Sequence, residues 1–336
     1  MYTAYICPKT KSKLIKSEDP LSLKSLSGEY YPIEKISKID WAPNFLTAYK
    51  LKDMQKKNLD IYNQKFSIEK YQNELNWLYE TFGTDNDTFR QKNIDLLNLQ
   101  PGDKVLITAC GLGSDILPIL KAIGPKGYLF VQDLAAEMVY ESARYIRSSG
   151  ILAENIFFSI SDAEKLQFED RYFDAVYHFG GINLFENIEN AISEMSRVVK
   201  FGGKVVFGDE SVAPWLRNTD YGRAVIKNNS LWEINTPIAL LPKNAIDVNL
   251  TWTLGNCFYL ISYTVSEDGP YINMDVKHKS PRGGSIRTRY FGQLEGVNPD
   301  LIKLISQEAK LRKISIHDLL EKFINDGLNI NNLSEK

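Results

Sequence analysis

A chain of 336 residues that is 43% hydrophobic and 12% aromatic carries enough apolar surface for one large or two ordinary globular domains, and it has no run of about 18 apolar residues that would span a membrane. Its 40 Lys plus Arg stand against 42 Asp plus Glu, so no global charge excess steers it toward nucleic acid or an anionic lipid surface. Three cysteines, Cys7, Cys110 and Cys257, are too few for a disulfide framework or a four-cysteine zinc site, and the opening MYTAYICPKTKSKL lacks the apolar stretch of a secretory leader; a soluble, cytoplasmic protein is the expectation.

In chain order, residues 1–45 read as short strands and turns. SGEYYPIEKISKI places a Ser-Gly turn before alternating apolar and polar positions, the pattern of a hairpin. From Thr47 to Leu97 the period lengthens: Leu51, Met54, Leu59, Tyr62, Phe66, Tyr71, Leu75 and Leu78 recur at helical spacing and predict two or three helices. GTDND at Gly83–Asp87 breaks them, with Asp87 as the expected cap of the next.

QPGDKVLITA then begins a regular alternation, with strands predicted at Lys104–Thr108, Tyr128–Gln132, Ile156–Ser159, Ala175–His178 and Lys204–Gly208 and helices at Asp115–Ala122, Ala135–Ser148 and Ile188–Val199. Such alternation implies parallel strands with crossover helices. AIDVNLTWTLGNCFYLISYTV adds two β-rich runs around LGN, an antiparallel pair. The tail is read as strand Ser285–Val297, helix Pro299–Lys313 and helix Ser315–Ile324.

ACGLGSD, Ala109–Asp115, follows the first parallel strand. Glycines there allow positive φ and close approach of a ligand, and the next helix offers unpaired N–H groups. The pattern is not G-x-G-x-x-G, which argues against a pyrophosphate. Asp133 in YLFVQDL ends the second strand about 20 residues on, where a carboxylate can accept from both hydroxyls of a ribose. SISDAEKL sets Asp162 and Ala163 over the same edge, FDAVYHFGGIN ends the fourth strand, and the fifth leads into GDES.

This ordered set resembles the class I S-adenosylmethionine-dependent methyltransferases, in particular the menaquinone/ubiquinone C-methyltransferase branch, over about Tyr62–Val265. The resemblance implies a doubly wound α/β fold with a mostly parallel, seven-stranded Rossmann-like sheet and an antiparallel C-terminal hairpin. It implies S-adenosyl-L-methionine as cofactor, held by Ala109, Gly111 and Gly113 at the methionine part, Asp133 and Leu134 at the ribose, and Met138, Asp162 and Ala163 at the adenine, with Tyr62 and Tyr71 in a lid. The family's acid at the end of the first strand is replaced here by Ile107 and Thr108; Asp115, or the backbone around Phe179 and Gly180, is the expected substitute near the cofactor's ammonium. His178 and Glu210 are the candidate catalytic groups, as bases toward a small-molecule or peptide acceptor.

The front end, ICPKTKSKL through GEYYPIEKI, resembles the small zinc-ribbon-like domain of the tRNA-methyltransferase-activator type. Thr10 replaces its second cysteine, so no metal is expected. The expected organisation is thus a degenerate ribbon at 1–45, a helical lid at 46–98, the methyltransferase domain at 99–270 and a strand-helix-helix association module at 285–330. That last order resembles a ribbon-helix-helix unit, in which Arg287, Arg289 and Gln293 would share the face of a strand that could pair a homodimer or read DNA. The alternative function is accordingly a DNA-binding regulator with a non-catalytic S-adenosylmethionine sensor, although charge makes nucleic acid the weaker partner.

Overall fold

The computed structural model describes residues 4–18, 21–48, 50–64, 66–151, 154–291 and 298–328. Two compact units divide the chain at 1–270 and 271–336. Among the described residues, no helix is long and apolar enough to cross a membrane.

In the first unit, strands β1 (Leu14–Glu18), β2 (Leu21–Ser25), β3 (Tyr30–Lys35) and β4 (Trp41–Pro43) form an antiparallel meander. Its second turn is the expected Ser-Gly hairpin, in which the amide of Ser25 donates to the Glu29 carbonyl and Gly28 takes φ +88°. This front sheet has no separate core. Tyr5, Leu23, Tyr31 and Phe45 are buried in one cluster with Phe130 and Phe173 of the following sheet and with Phe168 from the loop between its strands at Ile156–Ile160 and Phe173–Phe179, and Phe45 N donates to the Ile160 carbonyl. Tyr5, Phe130, Phe168 and Phe173 meet at centroid distances of 4.8–6.1 Å with several edge-to-face pairs, a geometry that adds to the burial of their area.

Cys7 is fully buried, with its sulfur 3.0 Å from the Tyr31 hydroxyl and accepting from Thr10 N at 3.5 Å, while the Thr10 hydroxyl bonds that of Ser12. Among the described residues, no three His, Cys, Asp or Glu side chains are grouped to hold a metal. Elemental analysis of the purified chain is therefore expected to find well under one zinc per chain; a stoichiometric ion would overturn the reading of this end.

Helices α1 (Asp53–Tyr62), α2 (Phe66–Thr81) and α3 (Asn86–Asp95) follow. The cap of α3 is Asp85 rather than Asp87: its carboxylate accepts from Thr88 N at 2.8 Å, leaving Asp87 in the first turn, where a negative charge also suits the helix dipole. Then come β5 (Lys104–Thr108), α4 (Ile116–Ile123), β6 (Tyr128–Asp133), α5 (Ala136–Ser148), β7 (Ile156–Ile160), β8 (Phe173–Phe179), α6 (Ile188–Val198), β9 (Val199–Glu210), α7 (Asp220–Asn228), β10 (Ala245–Thr253) and β11 (Phe258–Val265).

Seven of these strands form one sheet in the order β10-β11-β9-β8-β5-β6-β7. The five inner-to-edge strands from β9 to β7 are parallel, and β11 runs antiparallel between β9 and β10. Alternation along each strand feeds two cores: Val105, Ile107 and Tyr177 face α4 and α5, whereas Leu106 and Val176 face α6 and the front sheet. The chain runs from β5 outward to β7 and then returns to β8 on the other side, so the switch lies between β5 and β8, where open α/β sheets bind ligands at their carboxyl ends.

In the second unit, residues 286–291 form helix α8 (Ile286–Phe291), not the expected strand. Ser285 and Thr288 cap each other reciprocally, Thr288 N donating to Ser285 Oγ at 3.2 Å and Ser285 N to Thr288 Oγ1 at 2.8 Å. A local Ser-x-x-Thr cap outweighs the weak β pattern. Arg287 pairs with Asp275 at 2.7 Å and Arg289 donates to the Gly283 carbonyl, so neither stands on a reader strand; Gln293 lies outside the described residues. The strand-borne DNA and dimer readings lose their support at 286–291. Helices α9 (Pro299–Arg312) and α10 (Ile316–Leu328) pack through buried Ala309 and Leu319.

Candidate functional site

Strands β5, β6, β7, β8 and β9 end along one edge of the sheet, and the residues just beyond them line a cavity of about 620 Å³ covered by α1, α2 and the segment around Asn229–Trp232. Ala109 and Gly111 enter from the first turn, both at φ +51°. Gly113, at φ +84°, lies beneath them and does not line the cavity. A Cβ there would come within 2.9 Å of Ser142 Cβ, so this glycine lets α5 pack against the turn.

Asp133 is the anchor of the edge. Its Oδ2 accepts from Gly111 N at 3.0 Å and its Oδ1 from Ala135 N at 2.9 Å, which ties the glycine turn to the end of β6. Burial pushes its carboxyl up to about 6 against the pull of these N–H donors. Leu134 and the buried Met138 line the same end. Asp162 and Ala163 close it, with Asp162 Oδ1 accepting from Glu164 N at 2.9 Å and Oδ2 from Gln55 Nε2 at 2.8 Å. Gln55, on α1, is thus a site residue that periodicity did not single out.

Tyr62 and Tyr71 lie over the turn, edge to face at 6.4 Å. The Tyr71 hydroxyl would sit 3.4 Å from a Cβ at position 111, so a glycine there leaves space between lid and turn. Phe179 and Gly180 line the middle of the cavity, and Glu210 lies at the end of β9.

Besides Gly113, two expected site residues are elsewhere. Asp115 is buried and paired to Arg90, Oδ2 to Nη1 at 3.0 Å; it does not line the cavity. Arg90 does, from α3, with its guanidinium 5.1 Å from the Phe179 ring centroid. Burial works against its charge, and the Asp115 carboxylate together with Tyr79, Tyr177 and Tyr71 outweighs it, leaving the guanidinium pKa above its ordinary value. The acid missing from the end of β5 is therefore not replaced by Asp115, whose charge neutralises an arginine.

His178 is not at the cavity. It shares the face of Val176, because side chains alternate along a strand, and is fully buried beneath α6. Its Nδ1 lies 3.1 Å from the Thr108 carbonyl oxygen, which can only accept, and 3.0 Å from Thr108 Oγ1. Burial lowers its pKa to about 4, so it is a neutral ring tying β8 to β5. His178→Gln is expected to lower stability by about 1–2 kcal/mol through this bond and to leave the pH profile of kcat unchanged. A lost acid-side limb in that profile would restore the reading of His178 as a base.

Glu210 does reach the cavity. Its carboxyl is pushed up to about 8 by burial and by Asp209 beside it, with Trp232 and Asn229 pulling the other way. Asp209 itself accepts from Asn183 N and Glu210 N at 2.7 and 2.8 Å. Asn183 also donates to the Glu210 carbonyl, while its own Oδ1 is buried without a partner. Leu75, Leu78, Phe179, Leu231, Trp232 and Phe258 make this end apolar.

Residues 52–215 match the model of the ubiE/COQ5 methyltransferase family. This chain is similar to that family, a branch of the class I S-adenosylmethionine-dependent methyltransferases. The ubiquinone/menaquinone biosynthesis C-methyltransferase UbiE of Burkholderia mallei is 35% identical over 109 residues, 32% of this chain and 44% of that protein. The chain thus matches less than half the length of the curated relatives. Solved structures with similar architecture include a SAM-dependent methyltransferase from Aquifex aeolicus, at 16% identity and TM-score 0.38 over 52% of this chain and 89% of that one. Another is phosphoethanolamine N-methyltransferase 2 from Haemonchus contortus, at 11% identity and TM-score 0.49 over 65% and 61%.

The chemistry of the open edge follows from the groups that line it. Among the described residues, the cavity lining holds six Asp and Glu side chains, Glu74, Asp133, Asp162, Glu164, Asp209 and Glu210, against one cation, Arg90, already paired. Such a lining fits a ligand that carries a sulfonium and an ammonium. The orphaned Nε of Arg90 suits the carboxylate of the same ligand.

Proposed function

We propose that this chain is an S-adenosylmethionine-dependent methyltransferase acting on a small-molecule or peptide acceptor. The observation that carries the reading is Asp133: a partly buried carboxylate at the end of β6, bonded to the glycine turn and facing an acid-lined cavity at the topological switch of the sheet. The cofactor would supply an activated methyl group. This chain's residues bind and align: Asp133 accepts from ribose hydroxyls, Met138 and Ala163 pack on the adenine, Gly111 and Tyr71 border the methionine part, and Glu210 faces the acceptor. Alignment of the attacking atom on the methyl group is the main contribution a protein makes to such a displacement.

The three cysteines are unpaired and buried, which suits work in the reducing cytoplasm. Calorimetry with S-adenosylmethionine and S-adenosylhomocysteine tests the reading directly. Saturable binding at one site per chain is expected, and a folded protein that binds neither would sink it.

A further inference from the structure

The lining carboxylates differ in what they already hold. Asp133, Asp162, Glu164 and Asp209 each accept from backbone N–H groups, and Glu74 is exposed beside Lys70. Glu210 accepts from no backbone amide; its polar partners are the side chains of Trp232 and Asn229, the latter at a long 3.4 Å from Nδ2. It is walled by Trp232, Phe258 and Phe179, whose rings present π-faces or edges to the apolar end of the cavity. The buried Asn183 Oδ1, an acceptor without a donor, belongs to the same end.

A buried carboxylate with no cation beside it, an unfilled amide acceptor and aromatic walls all lack the same thing, a cationic N–H donor. A phenolate or enolate would instead add negative charge next to the Asp209 carboxylate, which like-charge repulsion disfavours. We propose that the acceptor of the methyl group is an amine on an apolar body, held by Glu210 and Asn183 Oδ1 against Trp232 and Phe258.

This rests on the methyltransferase reading. The amine nitrogen gives one proton to the Glu210 carboxylate; its lone pair then forms the N–C bond while the C–S bond of the sulfonium breaks and that electron pair stays on sulfur. The methylated ammonium leaves Glu210 protonated, as it is in the empty site, so the one proton set free per turnover is the one released when the ammonium is captured. Burial holds the empty-site Glu210 largely protonated at neutral pH, so capture of an ammonium ion releases a proton. The titratable groups facing Glu210 are Asp209 on β9, Glu74 on α2 and Tyr62 on α1.

The test is calorimetric titration of the full chain with phenethylamine and its neutral counterpart 2-phenylethanol, with and without S-adenosylhomocysteine, in two buffers of different ionisation enthalpy. The amine is expected to bind at least about tenfold more tightly than the alcohol, as for a charged hydrogen bond, with net proton release near pH 7. Glu210→Gln should remove the preference while the alcohol affinity and the S-adenosylhomocysteine affinity stay put, the latter also showing that the variant is folded. Equal affinities, tighter binding of the alcohol, no binding of either probe, or an unchanged preference in Glu210→Gln would each overturn the proposal. S-adenosylhomocysteine binding in the same cell reports separately on the methyltransferase reading.

Discussion

Asp115→Ala is expected to lower the stability of the chain by about 3–5 kcal/mol, the range for stranding one member of a buried ion pair. The Arg90 and Asp115 side chains are only 5% and 9% exposed, and Tyr71, Tyr79 and Tyr177 surround the guanidinium without offering it a charge. Urea denaturation at pH 7 measures the effect as a fall in the midpoint. Replacing both members, with Arg90→Met alongside Asp115→Leu, should recover much of the loss because no lone charge is left behind. If Asp115 instead served the cofactor's ammonium group, Asp115→Ala would weaken cofactor binding with a stability loss below about 1 kcal/mol, and that outcome would return it to the site.

Asp133→Ala should weaken S-adenosylmethionine binding by about 1.5–3 kcal/mol, from the loss of charged hydrogen bonds to the ligand. The wild-type affinity also carries a pH signature. With the empty-site carboxyl pushed up to about 6 by burial, the charged form that accepts from two hydroxyls dominates above that pH. Affinity should therefore be level near pH 8 and fall as pH drops from 7 to 5. Because the same oxygens accept from Gly111 and Ala135, a thermal melt must accompany the titration. An unaltered affinity in a folded variant removes Asp133 from the site.

The parallel strands, the crossover helices and the β10-β11 pair were legible because apolar periodicity and turn residues are local signals that burial on both faces makes strong. The cavity edge was legible for a related reason: in a parallel sheet every strand ends at the same side, so residues following Thr108, Asp133, Ile160, Phe179 and Glu210 must converge once the strands are placed. Misreadings arose where two local patterns competed, as at Ser285–Phe291, where a reciprocal Ser-Thr cap makes a helix out of β-rich composition. His178 was placed on the right strand but on the wrong face, since one residue of phase moves a side chain from the ligand edge to the layer beneath α6.

By itself, then, the sequence determined the doubly wound α/β sheet, the glycine turn, and Asp133, Asp162 and Glu210 at strand ends. All of these follow from order along the chain. Tertiary structure alone decided that the front sheet shares its core with the large one, through Tyr5, Phe45, Phe130 and Phe168, because one cluster is built from segments more than a hundred residues apart in the chain. It alone decided that Arg90 takes Asp115, that Gln55 reaches Asp162, and that Glu210 is the carboxylate left without a backbone donor. Charge pairing in a low-dielectric interior depends on which groups are brought within hydrogen-bond distance and shielded from water, and spacing along the chain does not encode that.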